Sequence, residues 1–258
     1  ILQRPAHGWA QLQRRHPPNH FRKNFGQRSL KFLLQALTGI MARLGEPGQP
    51  PIYLGMGSGD CYGGIMSAFA IVTALYQRNR SGHGQCIDAS LYGAQLFLGA
   101  PQLQAYLGGD TEAALQRSRR DAPNPLWNIY PTRGKWVCVC EPNEDARFRL
   151  LCAALGDGEL IEDPRFATPA ARAANNSELI ALFDAMSAAL DHETLLAGLA
   201  ANGVSAAPVN TLADVVKDPQ AWDNDYLVKA WCEEVQREVD VRGLPVTLSK
   251  TPGEVKCL

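Results

Sequence analysis

The chain has 258 residues, 46% of them hydrophobic and 20% charged, and 25 Lys and Arg against 26 Asp and Glu leave a net charge of -1. That length allows one large domain or two modest ones, with enough apolar content to bury a sizeable core. The charge balance argues against a dedicated nucleic-acid binder, and the apolar content argues against disorder.

Residues 1–28 are rich in Arg, His, Pro, Gln and Asn and sustain no period, so they read as an atypical leader. Arg4, His7, Arg14, Arg15 and His16 interrupt any signal-like apolar stretch, and no apolar run reaches the roughly 18 residues of a membrane span. The expectation is a soluble cytoplasmic protein. Leu30, Leu33, Leu34, Leu37, Ile40, Met41 and Leu44 then follow helical spacing up to Gly45. Pro47, Pro50 and Pro51 make a connector, 52–54 reads as a short strand, and 55–59 is a glycine-rich approach to Asp60.

A largely apolar helix follows Asp60 and stops at Gly82-His83-Gly84. Cys86-Ile87 reads as extended, and 90–107 as one more helix. The polar, Arg-rich stretch 108–124 reads as an exposed loop or a linker. Strands are expected at 127–130 and 135–140, joined by a turn at Arg133-Gly134. Asn143 is placed to cap a helix to Leu155, Ser177 to start one to Leu190, and Asp191 to start another that Gly203 ends. A short strand at 207–210 and a short helix at 212–216 follow. From Leu227 the pattern turns β, through 245–248.

Seven cysteines without a CxxC motif suggest reduced thiols, with Cys138 and Cys140 on one side of a strand. Five histidines without HExxH spacing give no metal site.

Asp60 can be read in two ways. Between glycines and a helix start, its carboxylate can cap the helix by accepting backbone N–H bonds. The same position can present a covalent nucleophile, with room for substrate beside the glycines and a helix N-terminus that favours developing negative charge. Cys61 reads as a lone buried cysteine, Trp127 and Tyr130 as core aromatics, and Arg78, Gln85 and Asp88 as structural.

Three motifs in order carry a resemblance. They are Gly59-Asp60-Cys61-Tyr62-Gly63-Gly64-Ile65, then Ala74-Leu75-Tyr76-Gln77-Arg78, then the run from Ser81-Gly82-His83-Gly84-Gln85 through Asp88 to Leu91. Asn124-Pro125-Leu126-Trp127 with Tyr130, Gly134-Lys135-Trp136-Val137, Asp218-Pro219-Gln220 and the closing segment 244–253 extend it. Together they resemble the family III CoA-transferases, the CaiB/BaiF family, over about 29–253. The resemblance implies an α/β fold: part of a large domain with the nucleophile motif at 29–120, a small α+β domain at 121–225, and a returning β segment at 226–258. It implies an acyl-CoA:carboxylate CoA-transferase with Asp60 as nucleophile. Gly59, Gly63 and Gly64 are its substrate-binding residues, and coenzyme A is a substrate. No metal or other cofactor is implied, and the partner is a second copy in a homodimer.

The family's N-terminal nucleotide-fold half has no counterpart here, and the chain stops soon after Gly253. The sequence therefore looks truncated at both ends, and weak CoA binding is expected. The alternatives are the family's acyl-CoA racemase branch and a non-catalytic remnant. The racemase branch pairs the aspartate with a histidine, and the matching position here is Leu30.

Overall fold

A computed structural model describes residues 30–55 and 57–255, and the expected leader at 1–28 lies outside them. The chain divides after Ser118 into two units.

The first unit is helical: α1 Leu30–Leu37, α2 Ser58–Ser81, α3 Leu91–Leu98 and α4 Ala100–Leu107, with 3-10 turns at Met41–Arg43 and Thr111–Ala114. The expected helix over 30–44 ends at Leu37 because Gly39 takes φ +78°, outside the helical region. The helix expected over 90–107 is two helices. The Ser90 side chain accepts from the Gly93 N–H at the start of α3. A break at Gly99 follows, and Pro101 sits in the first turn of α4, where its missing N–H costs nothing.

The runs at 52–54 and 86–87, expected as strands, lie in none among the described residues. The Leu54 N–H goes to the Gln35 side chain instead of a ladder. The segment 82–90 is extended for a different reason. Leu91 packs against Gly63, so nine residues must run back about 27 Å along α2, close to their full reach of about 30 Å.

Among the described residues of this unit the buried side chains are Leu34 and Gln35 on α1 and Ala94 and Gln95 on α3. Gly59 and Gly63 are buried on α2. A Cβ at Gly63 would stand 2.5 Å from Leu91 Cδ2, so glycine lets α3 approach α2 closely. The opposite side of α2 is apolar and open. Ile65, Phe69, Val72 and Tyr76 recur at helical spacing and are each between 62% and 69% exposed.

The second unit holds β1 Trp127–Pro131, β2 Trp136–Cys140, α5 Asp145–Leu155, α6 Glu159–Glu162, α7 Pro169–Ala174, α8 Asn176–Ala188, α9 His192–Ala201, β3 Ala206–Pro208, α10 Leu212–Val215, α11 Pro219–Asp223, β4 Leu227–Cys232 and β5 Arg237–Arg242. The first three strands form an antiparallel sheet in the order β1-β2-β3, with Trp127 opposite Cys140 and Val137 opposite Pro208. Gly134, at φ +117°, makes the turn between β1 and β2.

Strand alternation sends Val137 and Val139 into the core and leaves Cys138 and Cys140 on the other face. Phe148, Leu151, Phe183 and Leu199 close the core against them. Tyr130 belongs to this core. Its hydroxyl donates to the Pro125 carbonyl, and burial pushes the phenol well above its usual pKa. Trp127 does not, being 63% exposed on the outer face of β1.

Glu144, not Asn143, is the residue preceding α5. The Asn143 carboxamide is engaged elsewhere, accepting from Arg172 Nε at 2.7 Å and donating to the Pro169 carbonyl at 3.1 Å. Asp191 caps α9 as expected, accepting from the Thr194 N–H at 2.9 Å. Strands β4 and β5 pair as a hairpin, closed by Gly243 N–H donating to the Tyr226 carbonyl at 2.8 Å. The segment 245–248, expected as β, is in no strand. No helix among the described residues is long and apolar enough to cross a membrane.

Candidate functional site

The approach to Asp60 is built on two glycines in the left-handed region, Gly55 at φ +74° and Gly57 at φ +58°. Other residues take that conformation only under strain. Gly57 turns the chain into α2. The helical ladder begins with the Cys61 N–H donating to the Gly57 carbonyl at 3.0 Å. Asp60 is therefore the third residue inside the helix, and the capping position belongs to Gly57. The expectation of Asp60 as the cap is corrected: the left-handed glycine starts the helix three residues before it.

The Asp60 carboxylate is exposed and turned back over Gly57, where an added Cβ would stand 3.7 Å from Asp60 Oδ2. Side chains on a helix lean toward its N-terminus. The amides of Ser58, Gly59 and Asp60 precede the ladder, so this end carries partial positive charge. A carboxylate here can meet an incoming electrophile while the helix end stabilises an oxyanion beside it.

The three glycines of the motif divide between two faces. Gly64, one turn beyond Asp60, is exposed and would bring a Cβ within 4 Å of nothing. Gly59 and Gly63 face α3. A Cβ on Gly59 would stand 2.5 Å from Gln95 Nε2. Cys61 is exposed, contrary to the buried reading, because the first turn of α2 buries only Gly59. Among the described residues the buried cysteines are Cys152 and Cys232, and burial pushes the Cys152 thiol up to about 12. Cys61, Cys86, Cys138, Cys140 and Cys152 carry no disulfide.

The motif from Ser81 to Asp88 begins at the far end of α2 from Asp60 and runs back along the helix toward Leu91, which packs at Gly63. The Arg78 carbonyl accepts the Gly82 N–H at 2.8 Å and closes the helix, while Gln85 and Asp88 are exposed in the returning run. Sequence reasoning passed over Gln35 and Gln95, both fully buried behind the Asp60 loop. The available signal was a glutamine at an apolar helical position, after Leu34 and after Ala94. Among the described residues no three His, Cys, Asp or Glu side chains gather as a metal site would require.

The family model for CoA-transferase family III matches residues 23–257. The succinyl-CoA–D-citramalate CoA-transferase of Chloroflexus aurantiacus is 33% identical over 224 residues, covering 86% of this chain and 54% of that protein. The succinate–glutarate CoA-transferase of Agrobacterium fabrum is 30% identical over 221 residues, with the same coverage of 86% and 54%. The crystal structure of a CaiB/BaiF family protein from Brucella suis superposes with a TM-score of 0.75 at 32% identity, covering 86% of this chain and 57% of that one. The chain thus spans about half the length of the curated relatives it matches. With its mixed helix-and-strand architecture and its motifs in family order, the chain belongs to CoA-transferase family III.

Proposed function

We propose that the chain carries the nucleophile of an acyl-CoA:carboxylate CoA-transferase, with Asp60 as that nucleophile. The observation that carries the reading is the Asp60 carboxylate, exposed at the first turn of a 24-residue helix with open space at Gly64 beside it. Relatives named for succinyl-CoA and small dicarboxylates support a short, anionic acyl group as the cargo.

An Asp60 oxygen attacks the thioester carbonyl of acyl-CoA. The C–S bond breaks, CoA leaves as thiolate, and a mixed anhydride remains on Asp60. The thiolate then attacks the aspartyl carbonyl, releasing the first carboxylate and leaving an aspartyl-CoA thioester. The acceptor carboxylate attacks that thioester, and the freed thiolate takes the acceptor's acyl group from the second anhydride. Asp60 is regenerated as carboxylate.

Each attack builds negative charge on a carbonyl oxygen, and the first-turn amides of α2 are placed to receive it. In this reading Gly64 lies on the substrate side, while Gly59 and Gly63 serve it by letting α3 pack close behind. Carboxylate and thiolate exchange needs no metal or redox cofactor. Coenzyme A enters as substrate. A homodimer in the cytoplasm completes the reading, and the apolar side of α2 at Ile65, Phe69, Val72 and Tyr76 offers a surface for the association.

The test is hydroxylamine trapping. The chain is incubated with succinyl-CoA and glutarate, quenched with hydroxylamine and digested. A hydroxamate at Asp60 in the native chain, absent in Asp60→Ala, is the expected result. Equal consumption of succinyl-CoA by native chain and Asp60→Ala would sink the reading.

A further inference from the structure

Two glutamines stand behind the Asp60 loop, and the reaction sequence uses neither. Gln35 on α1 and Gln95 on α3 are each 0% exposed. Gln35 Oε1 accepts from the Leu54 N–H at 3.1 Å, and Gln35 Nε2 donates to Ser58 Oγ at 3.1 Å. Leu54 immediately precedes Gly55, and Ser58 immediately follows Gly57. One carboxamide therefore ties both ends of a loop whose two glycines take positive φ. Glycine has the widest backbone freedom of any residue, so such a loop holds a single shape only if something outside it holds it.

Gln95 forms the floor. An added Cβ at Gly59 would meet its Nε2, Cδ and Cγ at 2.5, 3.0 and 3.2 Å. Its Oε1 lies 3.4 Å from Thr38 Oγ1, and its Nε2 has no hydrogen-bond partner among the described residues. For packing alone a leucine or methionine would serve at both sites without the cost of desolvating an amide. What Gln35 adds is direction. A shift of the helix start by one residue would rotate the Asp60 side chain by about 100° around the axis of α2.

We propose that Gln35 is a positioning residue for Asp60: by bridging Leu54 and Ser58 it fixes where α2 begins, and so where the carboxylate is presented. The proposal rests on the reading of Asp60 as nucleophile, and the measurements separate the two.

In the full chain, Gln35→Met keeps the volume and removes both hydrogen bonds. Gln35→Glu, held protonated by burial, can still accept from Leu54 and donate to Ser58. Two readouts need no turnover. Amide hydrogen exchange at Leu54 and Cys61 should accelerate at least about tenfold in Gln35→Met, while amides of Val139 and Leu199 stay as they were. Labelling of Asp60 with a water-soluble carbodiimide and glycine ethyl ester should change at least about threefold relative to Asp88, an exposed carboxylate outside the loop. Gln35→Glu should restore both.

Unchanged exchange at Leu54 would overturn the proposal. So would labelling of Asp60 that follows Asp88 in every variant, because Gln35 would then be packing only. With succinyl-CoA, Gln35→Met should lower kcat about tenfold or more and leave KM within about twofold, as expected for a misdirected nucleophile. If the native chain forms no Asp60 adduct, the functional reading fails, and exchange and labelling still decide what Gln35 does.

Discussion

Glu141 and Arg147 meet through two hydrogen bonds of 2.5 Å, and Glu141 Oε1 also accepts the Ser205 N–H at 2.5 Å. Glu141 is buried, and Arg147 additionally donates to the Gly203 carbonyl at 2.7 Å. The pair thus ties the end of β2 to the turn that leads into β3.

The Arg147 hydrogen bonds hold the Glu141 carboxyl down at about 2, against an ordinary 4.5. A carboxyl depressed in the folded state contributes stability that is complete above the unfolded value and is lost as pH falls through the folded one. Urea melts followed by tryptophan fluorescence should therefore weaken between about pH 4.5 and about pH 2. Asp163, Asp191 and Asp214 are also lowered, so they add the same sign. The difference between native chain and Glu141→Gln isolates this pair. The variant should be less stable by about 2 kcal/mol at pH 7, with the gap closing in acid. A constant gap at every pH would contradict the assignment.

The two faces of the glycine motif should separate in mutation. Gly64→Ala adds a methyl in open space within a helix and should stabilise by about 0.5–1 kcal/mol. On the proposed function it should also slow transfer, because it stands beside Asp60. Gly59→Ala drives a methyl into the buried Gln95 carboxamide and should cost about 1–3 kcal/mol. Adding Gln95→Ala should recover part of that loss. Additive effects in the double variant would show that the two positions do not touch.

Arg172 gives a third contrast. Its guanidinium is 0% exposed, donates to Asn143 Oδ1, the Phe166 carbonyl and Asp145 Oδ1 at 2.7, 2.8 and 2.8 Å, and lies 4.6 Å from the Phe148 ring centre. Lysine cannot reproduce that fork, so Arg172→Lys should lose about 2–4 kcal/mol. The partner Asp145 has a side chain 56% exposed, so Asp145→Asn should lose about 1 kcal/mol or less. Equal losses would mean that the ion pair, not the buried fork, carries the stabilisation.

Gly243 should tolerate no side chain. A Cβ there would stand 1.8 Å from the Asp225 carbonyl oxygen, a backbone atom that cannot swing aside. Gly243→Ala should cost about 2 kcal/mol or more. Exchange at the paired amides of β4 and β5 should rise before that of β1 and β2. Intact protection throughout would refute this.

Periodicity and capping chemistry made most elements legible. The core strands at 127–130 and 135–140, the Gly134 turn and the Asp191 cap follow from alternation and turn residues alone. What periodicity missed were breaks set by a single backbone angle: Gly39 ending α1, Gly99 dividing α3 from α4, and Gly57 starting α2 ahead of Asp60. Extended runs at 52–54 and 86–87 carry strand-like residues but find no ladder, which depends on partners distant in sequence. At the site, Asp60 and its glycines stood out through motif order. Gln35 and Gln95 did not, because a glutamine among leucines and alanines is ordinary on an exposed helix, and only packing reveals it as buried.

The open apolar side of α2 sets how the chain should respond to temperature. Association through Ile65, Phe69, Val72 and Tyr76 would be driven mainly by the release of ordered water, a force that weakens on cooling. Sedimentation at a fixed loading should therefore shift toward the single chain near 4 °C and toward larger species on warming. A replacement such as Phe69→Glu should flatten that response, because it takes the apolar contact away while leaving the rest of the helix able to fold.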